Sequence, residues 1–176
     1  MKPRNTGILL IAAPIMKYLL NCMLLLLPIM AWNVIFSSKL PELYSKEVFW
    51  KDIPSFIANG ENVFRLLVFI IPILMPIRIE TQSQILGLWL YIAGTAIYFI
   101  SWLAQIYFPQ SAWSLSVWGF LAPAYTPLIW LIGIGLIGSV LYFSSPYRSW
   151  MYIALSAIFI GFHLSHALTV YLRNLQ

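Results

Sequence analysis

The sequence predicts an all-α integral membrane protein: a bundle of five transmembrane helices with a short amphipathic surface helix between the first and second. Three observations predict it. Of the 176 residues, 61% are hydrophobic and 9% charged, against roughly 45–50% and 25% in soluble domains. The apolar residues gather in five segments, near 7–36, 62–79, 84–107, 124–143 and 149–172, each close to or beyond the roughly 20 residues a helix needs to cross hydrocarbon. The ten basic residues are scattered singly, mostly at the ends of those segments, where they act as orientation signals and meet lipid headgroups.

The first segment begins after Lys2 and Arg4 and continues to Phe36 without a small-x-small cleavage site, so it reads as an uncleaved helix. Pro14 and Pro28 can kink it. Lys17, Asn21, Pro28 and Trp32 share one side; Lys17 either snorkels to the headgroups or stands near mid-membrane. Cys22 is the one cysteine, so it forms no intrachain disulfide and reads as a small buried apolar group.

Residues 37–60 carry Lys39, Glu42, Lys46, Glu47, Lys51 and Asp52 in alternating sign, interleaved with Tyr44, Phe49, Trp50, Ile53 and Phe56. This pattern predicts the surface helix. In the second span Glu61 and Arg65 lie four apart and can pair, and Pro72 and Pro76 predict a bend. After the third span, residues 108–127 contain no charge but are interrupted by Pro109, Pro123 and Pro127. They are expected at headgroup level without crossing the membrane. The turn Ser144-Ser145-Pro146 separates the fourth and fifth spans.

With an inside N-terminus, Lys2, Arg4, Lys17, Arg78 and Arg148 fall inside, and the other five basic residues outside. The tie is broken by the weight of the first helix and short loops, giving a multi-pass plasma- or inner-membrane protein with its N-terminus inside. No basic patch with interleaved aromatics speaks for nucleic acid. The partners expected are the lipid bilayer, a small amphipathic ligand or lipid, and a second copy or a membrane protein.

Two helical faces carry chemistry. On the third helix Gly87, Tyr91, Gly94, Thr95, Tyr98, Ser101, Trp102 and Gln105 fall within a sector of about 120° at 100° per residue. Such groups are unsatisfied in lipid, so the stripe faces protein or a cavity, placing this helix near the bundle centre. Two readings compete: ordinary packing through glycines and hydroxyls, and the wall of a ligand site. On the fifth helix Ala157, Gly161, Ser165 and Thr169 form a ladder suited to a close crossing. His163 and His166, the two histidines, lie nearly opposite, facing a cavity or a second neighbour.

A histidine pair three apart permits two metal ligands or a haem axial ligand, but every carboxylate sits near a predicted membrane boundary, so no third metal ligand is apparent. Interhelical hydrogen bonding is the plainer reading of both rings. Gly133, Gly135 and Gly138 match G-x-G-x-x-G inside a span with no preceding strand, and read as a packing surface. No acidic pair lies at matched depth for carboxylate catalysis. Ser101, Ser139 and Ser165 are the serines that could approach a histidine as a nucleophile. The cofactor is unknown at this level.

The leading expectation is a protein that binds, senses or passes a small, largely apolar or amphipathic ligand through an intrabundle cavity. The site residues would be Tyr91, Thr95, Tyr98, Trp102, Gln105, His163 and His166. The alternatives are a membrane-embedded enzyme acting on a lipid or isoprenoid with a histidine general base, and a structural subunit of a membrane complex. Reporter tags at Ser111 and Ser145 should lie on opposite sides of the membrane; tags on one side would remove the fourth span.

Overall fold

The computed structural model of the chain describes residues 18–175. Among these, four helices are long and apolar enough to cross a membrane: Ser55–Leu74, Gln82–Tyr107, Val117–Ile137 and Ser149–Arg173. The elements are α1 (Met23–Phe36), α2 (Ser55–Ile70, continued by a 3-10 stretch at Ile71–Leu74), α3 (Gln82–Tyr107), α4 (Val117–Tyr125), α5 (Pro127–Ile137) and α6 (Ser149–Arg173). α1 with the turn after it, Met23–Lys39, is apolar but shorter than a span. The beginning of the expected 7–36 segment, with Pro14 and Lys17, lies outside the described residues.

The helices alternate in direction, so connections gather at two ends. Residues 37–54, 108–116 and the C-terminal end of α6 form one end: the Tyr44 hydroxyl donates to the Phe120 carbonyl, and Tyr171 to that of Leu115. Residues 18–22, 75–81 and 138–148 form the other, where Cys22 N–H donates to Met75 O at 2.8 Å and Tyr142 N–H to Leu74 O at 3.1 Å. Cys22 is fully buried there.

Three expectations about elements are corrected. First, the surface helix predicted within 37–60 is replaced by three one-turn pieces, Ser37–Lys39, Glu42–Tyr44 and Lys46–Phe49. Leu40 and Pro41 are extended, and Ser45 caps a new turn by accepting from Val48 N–H. A proline and a capping serine interrupt any long helix, and α2 begins early, at Ser55.

Second, residues 108–127 were expected not to cross, yet Val117–Ile137 is a membrane-length helix in which 67% of the apolar window is buried. For the third helix, expected at the centre, the corresponding share is 28%. Among the described residues, the helix over Val117–Ile137, rather than α3, is therefore the central one. Pro123 is tolerated because a neighbour replaces the bond it removes, as apolar surroundings require. A helical Pro123 leaves the Gly119 carbonyl without its N–H donor; Gln105 Nε2 donates to it at 2.8 Å. Pro127 opens α5, where its missing N–H costs nothing, and Thr126 Oγ1 adds a bond at 2.7 Å to the Ala122 carbonyl, which already accepts the Thr126 N–H. The same device recurs in α2: Pro72 frees the Val68 carbonyl, and buried Tyr152 of α6 donates to it at 3.1 Å.

Third, among the described residues the ladder of α6 makes no helix crossing. Ala157, Gly161 and Ser165 are exposed, and a Cβ placed on Gly161 meets nothing within 4 Å. Ser165 and Thr169 bond back to the carbonyls of Gly161 and Ser165, each at 2.8 Å, so their hydroxyls need no other partner. The close crossing lies between α3 and α5: a Cβ on Gly133 would stand 2.6 Å from Gly87 O and from Tyr91 N. The glycine run of α5 is thus a packing surface, with Gly133 on α3 and Gly135 against Ile153 and Tyr152.

Gln105→Leu and Tyr152→Phe each strand a buried carbonyl. Each should lower stability by about 1 kcal/mol in a reversible detergent unfolding titration, while Ser165→Ala stays near zero. Equal effects at all three positions would contradict the carbonyl-capping role.

Candidate functional site

The site begins with a packing detail of α2. Phe56, Gly60 and Phe64 recur every four residues, and the Phe162 ring of α6 sits over Gly60, with ring centroids 5.4 Å from Phe56 and 5.6 Å from Phe64. A Cβ on Gly60 would lie 2.4 Å from that ring. Glycine therefore lets α2 and α6 approach here, and the next residue, Glu61, is carried into their interface, where it is fully buried.

Its carboxylate meets three partners. Oε1 accepts from the Arg65 guanidinium one turn on and contacts His163 Nδ1 at 2.9 Å; Oε2 contacts His166 Nδ1 at 2.5 Å. A buried carboxylate is tolerable only when paired and hydrogen-bonded in this way. His166 is fully buried, its ring 4.4 Å from that of Phe49 and edge-on to Trp50. Its Nε2 donates to the Phe49 carbonyl at 2.8 Å. Two turns on along α6, Arg173 donates to the carbonyls of Val48 and Lys51. The 46–52 segment is thus held on α6 through its backbone.

Above this cluster is a cavity of about 400 Å³. Tyr98, Trp102, Phe159 and Trp130 supply aromatic wall; Arg65, His163 and Asn33 supply polar groups; Tyr44 and Phe49 close one side. Tyr98 donates to Asn33 Oδ1 at 2.7 Å. His163 stacks on Phe159 with 10° between the ring planes. With Nδ1 on Glu61, its Nε2 has no hydrogen-bond partner among the described residues. The indole N–H of Trp130 is buried and likewise unpartnered among them. Burial pushes the Tyr44 phenol well above its ordinary range, so it remains a neutral donor.

No protein-family model, curated protein or solved structure matches this chain. Its functional reading rests on this geometry.

Of the residues singled out in the sequence, Tyr98, Trp102 and His163 come together on one cavity. His166 stands behind His163, joined to it through Glu61. Tyr91 is not on that wall; its hydroxyl donates to the Leu25 carbonyl at 2.8 Å, and half-buried Thr95 is also away from the wall. Gln105 caps the Gly119 carbonyl and borders a second cavity of about 540 Å³ between 41–48 and 109–115. Ser101 donates to Tyr98 O, Ser165 to Gly161 O, and Ser139 accepts from Gln84, so none of the three approaches a histidine.

The pairing of Glu61 with Arg65 was expected and is found; the hold of Glu61 on both histidines was missed. Starting the second span at 62 left the carboxylate at the span's edge, near the membrane boundary, whereas α2 starts at Ser55 and carries it nearly two turns inside. The available signal was the pairing of Glu61 with Arg65 ahead of an apolar run, together with two histidines near one end of another span that lacked an acid.

Glu61→Leu leaves Arg65 and His166 without their acceptor and should cost about 3 kcal/mol in detergent unfolding. Glu61→Gln, which keeps an acceptor oxygen, should cost distinctly less; equal losses would show that the ion pairing contributes nothing.

Proposed function

We propose that this chain is a membrane-embedded binding protein that holds or passes a small, largely apolar ligand in the cavity lined by all six helices, α1 to α6. The carrying observation is the cavity itself: about 400 Å³ with mainly aromatic walls and a polar end at Arg65 and His163. Ligand sites typically span roughly 300–1,000 Å³ and pair apolar walls with a few polar groups. The unpartnered Trp130 N–H supports the reading, because an unmet buried donor costs about 1–3 kcal/mol that a ligand acceptor can recover.

In this proposal the first apolar segment, 7–36, completes a five-span bundle in a plasma or inner membrane. The N-terminus is inside, so 37–54 and 108–116 face outside. Among the described residues that assignment sets Lys39, Lys46, Lys51, Arg65 and Arg173 against Arg78 and Arg148, and the alternating helix directions support a division into two ends.

A second reading has one specific support. Glu61 holds His163 by Nδ1 and leaves Nε2 beside the cavity, the arrangement in which a carboxylate orients an imidazole as a general base. A membrane-embedded enzyme acting on a lipid or isoprenoid would use this pair.

His163→Gln and Trp102→Ala decide between binding and packing roles. With a fold intact by thermal unfolding, both should lower retention of ligand extracted from the purified protein, by at least about fivefold. Loss of stability with retention unchanged would remove the cavity as the binding site. Chemical conversion of extracted lipid by wild-type protein but not His163→Gln would instead select the enzyme.

A further inference from the structure

The hydrogen bonds around Glu61 fix a proton count, and the count fixes a charge. The Phe49 carbonyl is only an acceptor, so His166 Nε2 carries a hydrogen. The contact of His166 Nδ1 with Glu61 Oε2 also needs a hydrogen, on one atom or the other, and so does that of His163 Nδ1 with Oε1. Three hydrogens are required; an ionised carboxylate with two neutral imidazoles brings two. The extra proton offsets the carboxylate charge wherever it resides. Arg65 then leaves the cluster with one net positive charge at the polar end of an apolar cavity. The other charged groups nearby do not cancel it: residues 37–54 set Lys39, Lys46 and Lys51 against Glu42, Glu47 and Asp52, Arg173, bonded to the Val48 and Lys51 carbonyls, is also cationic, and α3, α4 and α5 contribute no charged residue.

We propose that the ligand of this cavity is an amphiphile with a single anionic headgroup, a carboxylate or phosphate, bound at Arg65 and His163 with its chain among Tyr98, Trp102 and Phe159. The inference rests on the reading of the cavity as a binding site and names the class of its ligand. A positive charge facing a low-dielectric space is stabilised by an anion far more than the same charge in water. Arg65 and His163 Nδ1 converge on one carboxylate oxygen, so their free sides border the same small region. An acid arriving with its proton can transfer it from oxygen to His163 Nε2. The products are a headgroup anion and an imidazolium, placed beside the guanidinium with no net charge brought in from outside.

The test uses the purified chain in nanodiscs of zwitterionic lipid, with quenching of tryptophan fluorescence by bromine-labelled laurate and by the bromine-labelled alcohol of the same chain length. The acid should quench at a concentration at least about tenfold below the alcohol. Arg65→Gln should bring the two to parity by weakening the acid, and Arg65→Lys should keep a preference. Equal quenching by acid and alcohol in the wild-type protein overturns the anionic assignment and leaves the cavity a site for a neutral ligand. Quenching by neither removes the binding site and the inference with it. Phosphatidylglycerol added to the discs divides the source: displacement of the labelled acid assigns the anion to a bilayer lipid, its absence to a free single-chain acid, and either sustains the assignment.

Discussion

The carboxylate of Glu61 is the point on which three parts of the molecule meet. It is fully buried, and its two oxygens gather a guanidinium from α2 and two imidazoles from α6, one of which reaches the backbone of the 46–52 segment. Removing a charge from water costs several kcal/mol, so such a group persists only where its partners are held in place. Here the holding is mechanical as well as electrostatic. Gly60 admits the Phe162 ring, the two helices close together, and the acid cannot leave without parting them. The cavity wall at His163 inherits its orientation from that acid.

The helices were legible because hydropathy and helical period survive in sequence. The third and fifth spans were expected at 84–107 and 149–172 and are found at Gln82–Tyr107 and Ser149–Arg173. Thr81 and Gln84 fix the start of α3 by a reciprocal cap, a local signal. The fourth span was misplaced because proline carries its local meaning, a missing donor, without showing that Gln105 will satisfy the carbonyl it frees. That information lies in another helix, and a pattern search along one segment does not contain it.

The site was half legible for the same reason. Tyr98, Trp102 and His163 could be found because each stands on a polar stripe that lipid does not tolerate, and a stripe is a property of one helix. Which of the stripe's members face a cavity depends on the neighbour: Tyr91 and Gln105 lie on the same face, yet both are used up on backbone carbonyls of α1 and α4. The α6 ladder misled in the opposite direction. Its small residues suggested contact, but serine and threonine bonded to their own helix need none.

The proline caps bear on how this sequence is free to change. Pro72 and Tyr152 are eighty positions apart, and Pro123 and Gln105 stand on different helices, but each pair shares one carbonyl. If a proline gives way to a residue with an N–H, the helix recovers its own bond, and the hydroxyl or amide opposite loses its reason to be there. If the donor goes first, the proline becomes a burden. Substitutions at the two positions are therefore tied in order and in kind, and distant relatives of this chain, aligned, would show the two columns varying together although neither residue touches a ligand.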